Sequence, residues 1–398
     1  MPKSGAFCAQ YLSLVMSMKK IYFDYAASRP VREEVLKAME PFFAKKHGNA
    51  SSLHSFGQQA KKALEESRAT IAKQIGAEPE EIYFTSGGTE GNNWALKGLS
   101  FANPNKKHII TSKTEHDCIL NASGWLESRG ASVTYLPVGK DGLASPDDAR
   151  NAIRKDTLVV SIMHVNNEIG TINNIEAIAK VCREKGVLFH TDACQSFTKI
   201  PIDVKKMGID TMTINAHKIY GPQGVGALFI RKGIKIEPLL HGGGHERGLR
   251  STTENIPGVV GFAKAAELGC AEMKTEMERQ KKLRDCLVKE ILKINDSWVN
   301  GSLQHRIADN ANFGFLGVEG ESIVLHLDAK GVAASTGSAC SSTKLEPSHV
   351  LLALGLKPEE AHGSLRLTMG LYTTKADVDY VIKILPPIIE NLRKISPF

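Results

Sequence analysis

Strand-length apolar runs that recur between helix-length amphipathic stretches constrain this chain more than any other feature. The runs are Glu81–Thr85, His108–Thr111, Ser132–Leu136, Leu158–Met163, Val187–His190, Thr211–Ile214 and Val225–Ile230. Continuous rather than alternating hydrophobicity marks strands covered on both faces, and alternation with helices predicts an α/β fold with a largely parallel sheet. With 398 residues the chain predicts two or three structural units and a core large enough to enclose a cofactor. The alternation stops near Gly269. Apolar residues then fall at Cys270, Met273, Met277, Leu283, Leu287, Ile291 and Ile294, one face of a long helix leading into a second unit. That unit continues through Asn312–Leu316 and closes with a helix from Asp377 to about Lys394.

Composition narrows the function classes. The chain is 42% hydrophobic and 23% charged, with a formal net charge of +7, which is ordinary for a soluble globular protein. No lysine/arginine block or interleaving of basic and aromatic residues accompanies that charge, so direct nucleic-acid binding is not expected. Seven cysteines (8, 118, 182, 194, 270, 286 and 340) include no CxxC pair. This argues against zinc ribbons and disulfide frameworks and for a reducing, cytoplasmic setting. No membrane association is expected. His241 and His245 are separated by three glycines, a poor basis for a helical ligand pair, and no metal site is expected.

The candidate chemistry collects at strand ends, where open α/β sheets bind ligands. Lys218 lies in Asn215-Ala216-His217-Lys218-Ile219-Tyr220-Gly221-Pro222, and Asp192 ends the run from Val187. A turn lysine and a strand-end carboxylate are what pyridoxal 5′-phosphate needs. The amine condenses with the aldehyde, and the acid keeps the pyridine nitrogen protonated so that the ring accepts electrons. Ser86-Gly87-Gly88-Thr89 joins a strand to a helix, so backbone N–H groups and the Thr89 hydroxyl suit a phosphate. His116 follows a third strand, and Asn166-Asn167-Glu168 ends a fourth.

The blocks SKTEH, SIMHVNNEIG, TDACQ, HKIYGPQGVGAL, HGGGHERGLRS and STGSACSS resemble, in order and over nearly the whole chain, the motifs of the NifS/IscS-type cysteine desulfurases. These are pyridoxal phosphate enzymes of the aspartate-aminotransferase fold (fold type I). The resemblance implies a large cofactor-binding domain over 28–273, with a mixed, mostly parallel sheet flanked by helices. It implies a smaller α+β domain from 18–27 and 274–398 that carries the catalytic cysteine loop. Residues 1–17 read as an N-terminal extension before Met18.

Carried over residue by residue, the resemblance makes Lys218 the Schiff-base lysine and Asp192 the pyridinium partner. His116 stacks on the ring and moves protons. Asn167 and Gln195 bond the phenolic oxygen, while Gly88, Thr89, His217 and Asn215 hold the phosphate. Thr253 reaches the phosphate of a neighbouring subunit, which implies a homodimer. Arg366 clamps the substrate carboxylate, with Asn167 nearby. Cys340, among the small residues Ala333–Thr343, takes sulfur from L-cysteine as a persulfide and leaves L-alanine. The sulfur then goes to an iron–sulfur scaffold or another acceptor protein, for cluster assembly or tRNA thiolation.

Four residues depart from the family pattern: Gly91, Cys194, Asn215 and Thr252. Asn215 stands where serine is usual, which predicts altered cofactor affinity. Three other readings share the scaffold: an aminotransferase, a selenocysteine lyase and a non-catalytic sulfur-relay component.

Overall fold

A computed structural model of the chain describes residues 20–337 and 347–395. The strands are β1 (Ile21–Tyr22), β2 (Ile82–Thr85), β3 (His108–Ser112), β4 (Ser132–Leu136), β5 (Thr157–Ser161), β6 (Leu188–Asp192), β7 (Thr211–Asn215), β8 (Gly226–Ile230), β9 (Ser297–Val299), β10 (Asn310–Phe315), β11 (Val332–Ala333) and β12 (Ser364–Thr368). β2 to β8 are the seven apolar runs, and they form one sheet in the order β2-β8-β7-β6-β5-β3-β4. β8 runs against both of its neighbours and the other pairings are parallel. The fold is α/β with a mixed, mostly parallel sheet, as expected.

Strand geometry explains why the runs are continuously apolar. Successive side chains point to opposite faces, and both faces of this sheet are covered. Ile110, Val160 and Phe189 pack with Ile71 and Phe262 in one core, while their neighbours Ile109 and Val159 pack with Trp94, Leu96 and Ile119 in another. The first core lies under helices 55–75 and 256–291, the second under helices 88–102 and 117–127. Each fully buried large apolar side chain contributes about 1.5–3 kcal/mol of transfer free energy.

The long helix differs from its sequence reading. It spans Ile256–Ile291 and begins 14 residues before Cys270, with the Asn255 side chain accepting from the Gly258 N–H and a proline in the first turn. Glycines made its first half read as the end of the α/β alternation. They are there for close packing: a Cβ on Gly261 would lie 2.5 Å from the Met39 sulfur. The closing helix, Lys375–Ile395, matches expectation to within two residues.

A third core joins the two chain ends. Ile21 and Phe23 pack with Leu287, Phe313, Leu365 and Val381. β1 pairs in parallel with β11, and β12-β10-β9 form an antiparallel sheet. Among the described residues, no helix is long and apolar enough to cross a membrane.

Candidate active site

The carboxyl ends of β2, β3, β5, β6 and β7 share one edge of the sheet, as parallel pairing requires of β3, β5, β6 and β7 and as the two antiparallel pairings of β8 give for β2. There the loops enclose a cavity of about 350 Å³ lined by Lys218, Asp192, His116, Asn167, Gly88, Thr89, Asn215, His217 and Arg366. Lys218 stands on the turn after β7, three residues beyond Asn215. Asn166 is in a loop rather than at the end of β5, which stops at Ser161. That loop is closed by the Asn166 N–H donating to Thr171 at 2.9 Å.

Asp192 is buried in a set of neutral donors. Asn92 Nδ2 donates to its Oδ2 at 2.6 Å and the Cys194 N–H donates to its Oδ1 at 2.8 Å. Behind Asn92, its amide oxygen lies 3.2 Å from His190 Nε2, and His190 Nδ1 lies 3.0 Å from Thr211 Oγ1. Burial holds His190 neutral, with its pKa lowered to about 4. A carboxyl held this way, without a charged partner at hydrogen-bond distance among the described residues, is left to face a cationic ligand.

His116 caps helix 117–127, with Nδ1 accepting from the Cys118 N–H at 3.1 Å. Its neutral tautomer therefore carries the proton on Nε2. Burial, and then the neighbouring Lys218 charge, lower its pKa, so the ring is a neutral base at physiological pH. Burial pushes the thiols of Cys118 (to about 12) and Cys194 up; both stay protonated and inert.

Another part of the cavity lining is built differently. Gly87, before helix 88–102, offers no side-chain cap to the first N–H groups of that helix, which leaves donors for an anion. A Cβ on Gly88 would lie 2.8 Å from Cys194 Sγ, so only glycine fits beside this cysteine. Asn215 Oδ1 is buried without a partner among the described residues. His217, lowered to about 4 by burial and then by Lys218, is neutral.

At the mouth, Arg366 is held by Asp24 (Nη2 to Oδ1, 2.7 Å), the Asn167 carbonyl (2.9 Å) and the Gly337 carbonyl (3.3 Å). Its Nε is buried with no partner among the described residues. The Glu168 carboxyl accepts from Ser348 Oγ at 2.6 Å, and burial raises its pKa.

Residues 21–381 match the family model of the class-V aminotransferases. The chain belongs to that family. It is 54% identical over 382 residues to a cysteine desulfurase IscS of Dictyoglomus turgidum, covering 96% of this chain and 97% of the relative. It is 52% identical over 380 residues to the IscS of Methanosarcina thermophila, covering 95% and 94%. Among solved structures, a NifS-like protein superposes with a TM-score of 0.89 at 35% identity, covering 94% of this chain and 100% of that one. SspA in complex with cysteine gives 0.80 at 39% identity, covering 89% and 100%. Within the class-V aminotransferases the chain is of the NifS/IscS type, a fold type I enzyme whose cofactor is pyridoxal 5′-phosphate.

The residues present fit that cofactor. The cavity lining holds both an uncapped helix N-terminus and a buried carboxylate with neutral partners. Lys218 lines the same cavity.

Two predicted residues lie outside this cavity. Gln195 is turned away, its Nε2 donating to the Ala26 carbonyl at 2.9 Å and its Oε1 accepting from Lys199 at 3.0 Å. Thr253 lines a separate space of about 120 Å³ with Ser86 and Arg250. Cys340 lies outside the described residues. Gly91 has a structural reason, because a Cβ there would lie 2.7 Å from Thr213 Cγ2.

Sequence reasoning missed Asn92 and Asp24, and it named His190 and Glu168 only within strand-end segments, without a role. Signals for two of them existed. Asn92 is four residues after Gly88, on the same side of its helix, and His190 is two before Asp192, on the same side of β6. Glu168 and Asp24 have partners more than a hundred residues away, which no local spacing reveals.

Proposed function

We propose that the chain is a cysteine desulfurase that converts L-cysteine to L-alanine and holds the sulfur as a persulfide on Cys340. The observation that carries this reading is the pairing of Lys218 with Asp192 in one cavity, in a chain about half identical to named cysteine desulfurases over nearly its full length. Pyridoxal phosphate, when bound, supplies the sink for the electron pair left at Cα.

Lys218 tethers the cofactor and, once displaced by substrate, takes the Cα proton with its free amine. Asp192 holds the proton on the ring nitrogen. His116, with Nε2 as its exchangeable nitrogen, moves a proton to or from the substrate. Arg366 receives the α-carboxylate through donors its protein partners leave uncommitted, with Asn167 beside it. Asn167 and Gln195 tune the phenolic oxygen, and for Gln195 this requires the amide to leave its Lys199 contact. Gly88, Thr89, Asn215 and His217 hold the phosphate. Cys340 thiolate then attacks the substrate sulfur. The new S–S bond forms as the Cβ–S bond breaks, the electron pair stays on Cβ, and Cβ takes a proton on the way to L-alanine.

Thr253 lies beside its own cavity rather than in it, which supports a role toward a second copy and hence a homodimer. The persulfide passes to an iron–sulfur scaffold or another sulfur-acceptor protein. A reducing cytoplasm suits a carrier that works through a free thiol.

The test is L-alanine and sulfide formed from L-cysteine by protein supplied with pyridoxal phosphate and a thiol reductant, run beside Cys340→Ser. Equal amounts of the two products are expected from the unaltered chain. The variant should lose them by on the order of 100-fold or more while keeping its visible cofactor band. Undiminished sulfide from Cys340→Ser would remove Cys340 as carrier, and alanine made only with an added keto acid would indicate an aminotransferase.

A further inference from the structure

The guanidinium of Arg366 is almost fully committed before any substrate arrives. One Nη1 faces two carbonyls, Asn167 at 2.9 Å and Gly337 at 3.3 Å, and Nη2 donates to Asp24 at 2.7 Å. Five N–H groups less these three leave Nε and the second Nη2 hydrogen. Nε is buried and has no partner among the described residues. The pair Arg366–Asp24 is nearly closed to solvent, with side chains 3% and 20% exposed.

Asp24 is itself fixed by backbone from both sides. The Thr368 N–H donates to the Phe23 carbonyl at 2.7 Å and the Phe23 N–H donates to Ala333 at 2.8 Å. The Ala26 N–H donates to Thr368 Oγ1 at 2.9 Å. Asp24 forms an isolated bridge to Thr368, two residues from Arg366 on β12. The carboxylate is thus placed by backbone pairing on both sides of Asp24, and it reaches the arginine through one Nη2 hydrogen.

We propose that Asp24 is a positioning residue of the substrate site, which holds the Arg366 guanidinium in the one rotation that offers a two-donor edge to a single α-carboxylate. The inference rests on the reading of Arg366 as the carboxylate clamp. A planar fork held at three of its donors has little freedom to follow a misplaced ligand. The fixed Asp24 charge beside the free edge also disfavours a second carboxylate on the substrate, so the site takes small monocarboxylic amino acids.

The test compares Asp24→Ala, Asp24→Asn and Arg366→Lys holoenzymes. Asp24→Ala should raise KM for L-cysteine by about tenfold or more with kcat within about threefold, because binding rather than chemistry is lost. Asp24→Asn keeps an acceptor for Nη2 and should recover KM to within about threefold of the unaltered protein. A second readout is the affinity of L-alanine for the holoenzyme, followed by the visible cofactor band, which should weaken in parallel with KM. If Asp24→Ala does not fold, Asp24→Glu, one methylene longer, carries the same prediction. Unchanged KM and L-alanine affinity in the Asp24 variants, with Arg366→Lys impaired, would overturn the positioning role and leave the clamp. Unchanged values in all three would remove the clamp reading and the inference with it.

Discussion

The two ends of the cofactor cavity solve opposite problems. Around Asp192, the donors and acceptors are matched by the protein itself, through Asn92, the Cys194 N–H, His190 and Thr211. At the start of helix 88–102 there is no side-chain cap, and the Asn215 amide nitrogen faces the same glycine, 3.4 Å from where a Gly88 Cβ would stand. One end is finished by folding and the other is finished by its ligand. A closed network of this kind preorganises charge for catalysis. An open helix N-terminus ties affinity for an anion to the folded state, so the ligand stabilises the protein by mass action.

Lys218→Ala should separate the two ends most sharply. Activity should fall on the order of 1000-fold or more, with the borohydride-reducible adduct lost. Non-covalent retention of cofactor through the phosphate end should survive, measured by the visible band after desalting. A reducible adduct persisting at this site would show that the lysine is misassigned.

Asp192→Ala attacks the finished end. It strips the acceptor from Asn92 and from the Cys194 N–H, at a cost of about 1–3 kcal/mol for each buried donor left unpaired. Activity and stability of the apoprotein should fall together. Thermal denaturation without cofactor that matched the unaltered protein would mean that the network is not closed in solution.

Acid should reach the same end through histidine. His190 and His164 are buried neutral with pKa values lowered to about 4 by burial. In the unfolded chain each titrates near 6.5. Between these values the unfolded state binds more protons, so stability is complete above about pH 6.5 and declines as pH falls toward 4. Each such histidine is worth on the order of 3 kcal/mol across that window. Chemical denaturation at pH 7 and pH 5 should show the loss, and His190→Gln should reduce it. A slope unchanged in His190→Gln would assign the acid sensitivity elsewhere.

The smallest effect is expected at the open end. Asn215→Ser and Thr89→Ala should weaken cofactor binding by about tenfold or less and leave apoprotein stability within about 0.5 kcal/mol. Fluorescence titration with pyridoxal phosphate and apoprotein melting measure the two quantities separately. A large loss of apoprotein stability would show that this end, too, is completed by the fold.

Lys218, Asp192 and His116 were legible because each follows a continuous apolar run, and the ends of such strands converge on one edge of a parallel sheet. The start of the long helix was not, because Gly258, Gly261 and Gly269 weaken helix propensity locally, while Gly261 and Gly269 make room for Met39 and Thr198, far away in sequence. Gly91 shows the same limit. Read alone it is a departure from a family pattern; in the fold it makes room for Thr213.

The sequence by itself determined the period of each element, the α/β class and the residue types needed for pyridoxal chemistry, since these depend on local spacing and side-chain identity. Only the tertiary structure decided which donors meet Asp192, that Gln195 faces Lys199 and that Asp24 meets Arg366 across 342 residues. Such contacts are set by how buried surfaces pack and by the requirement that buried polar groups find partners, and neither leaves a periodic trace along the chain.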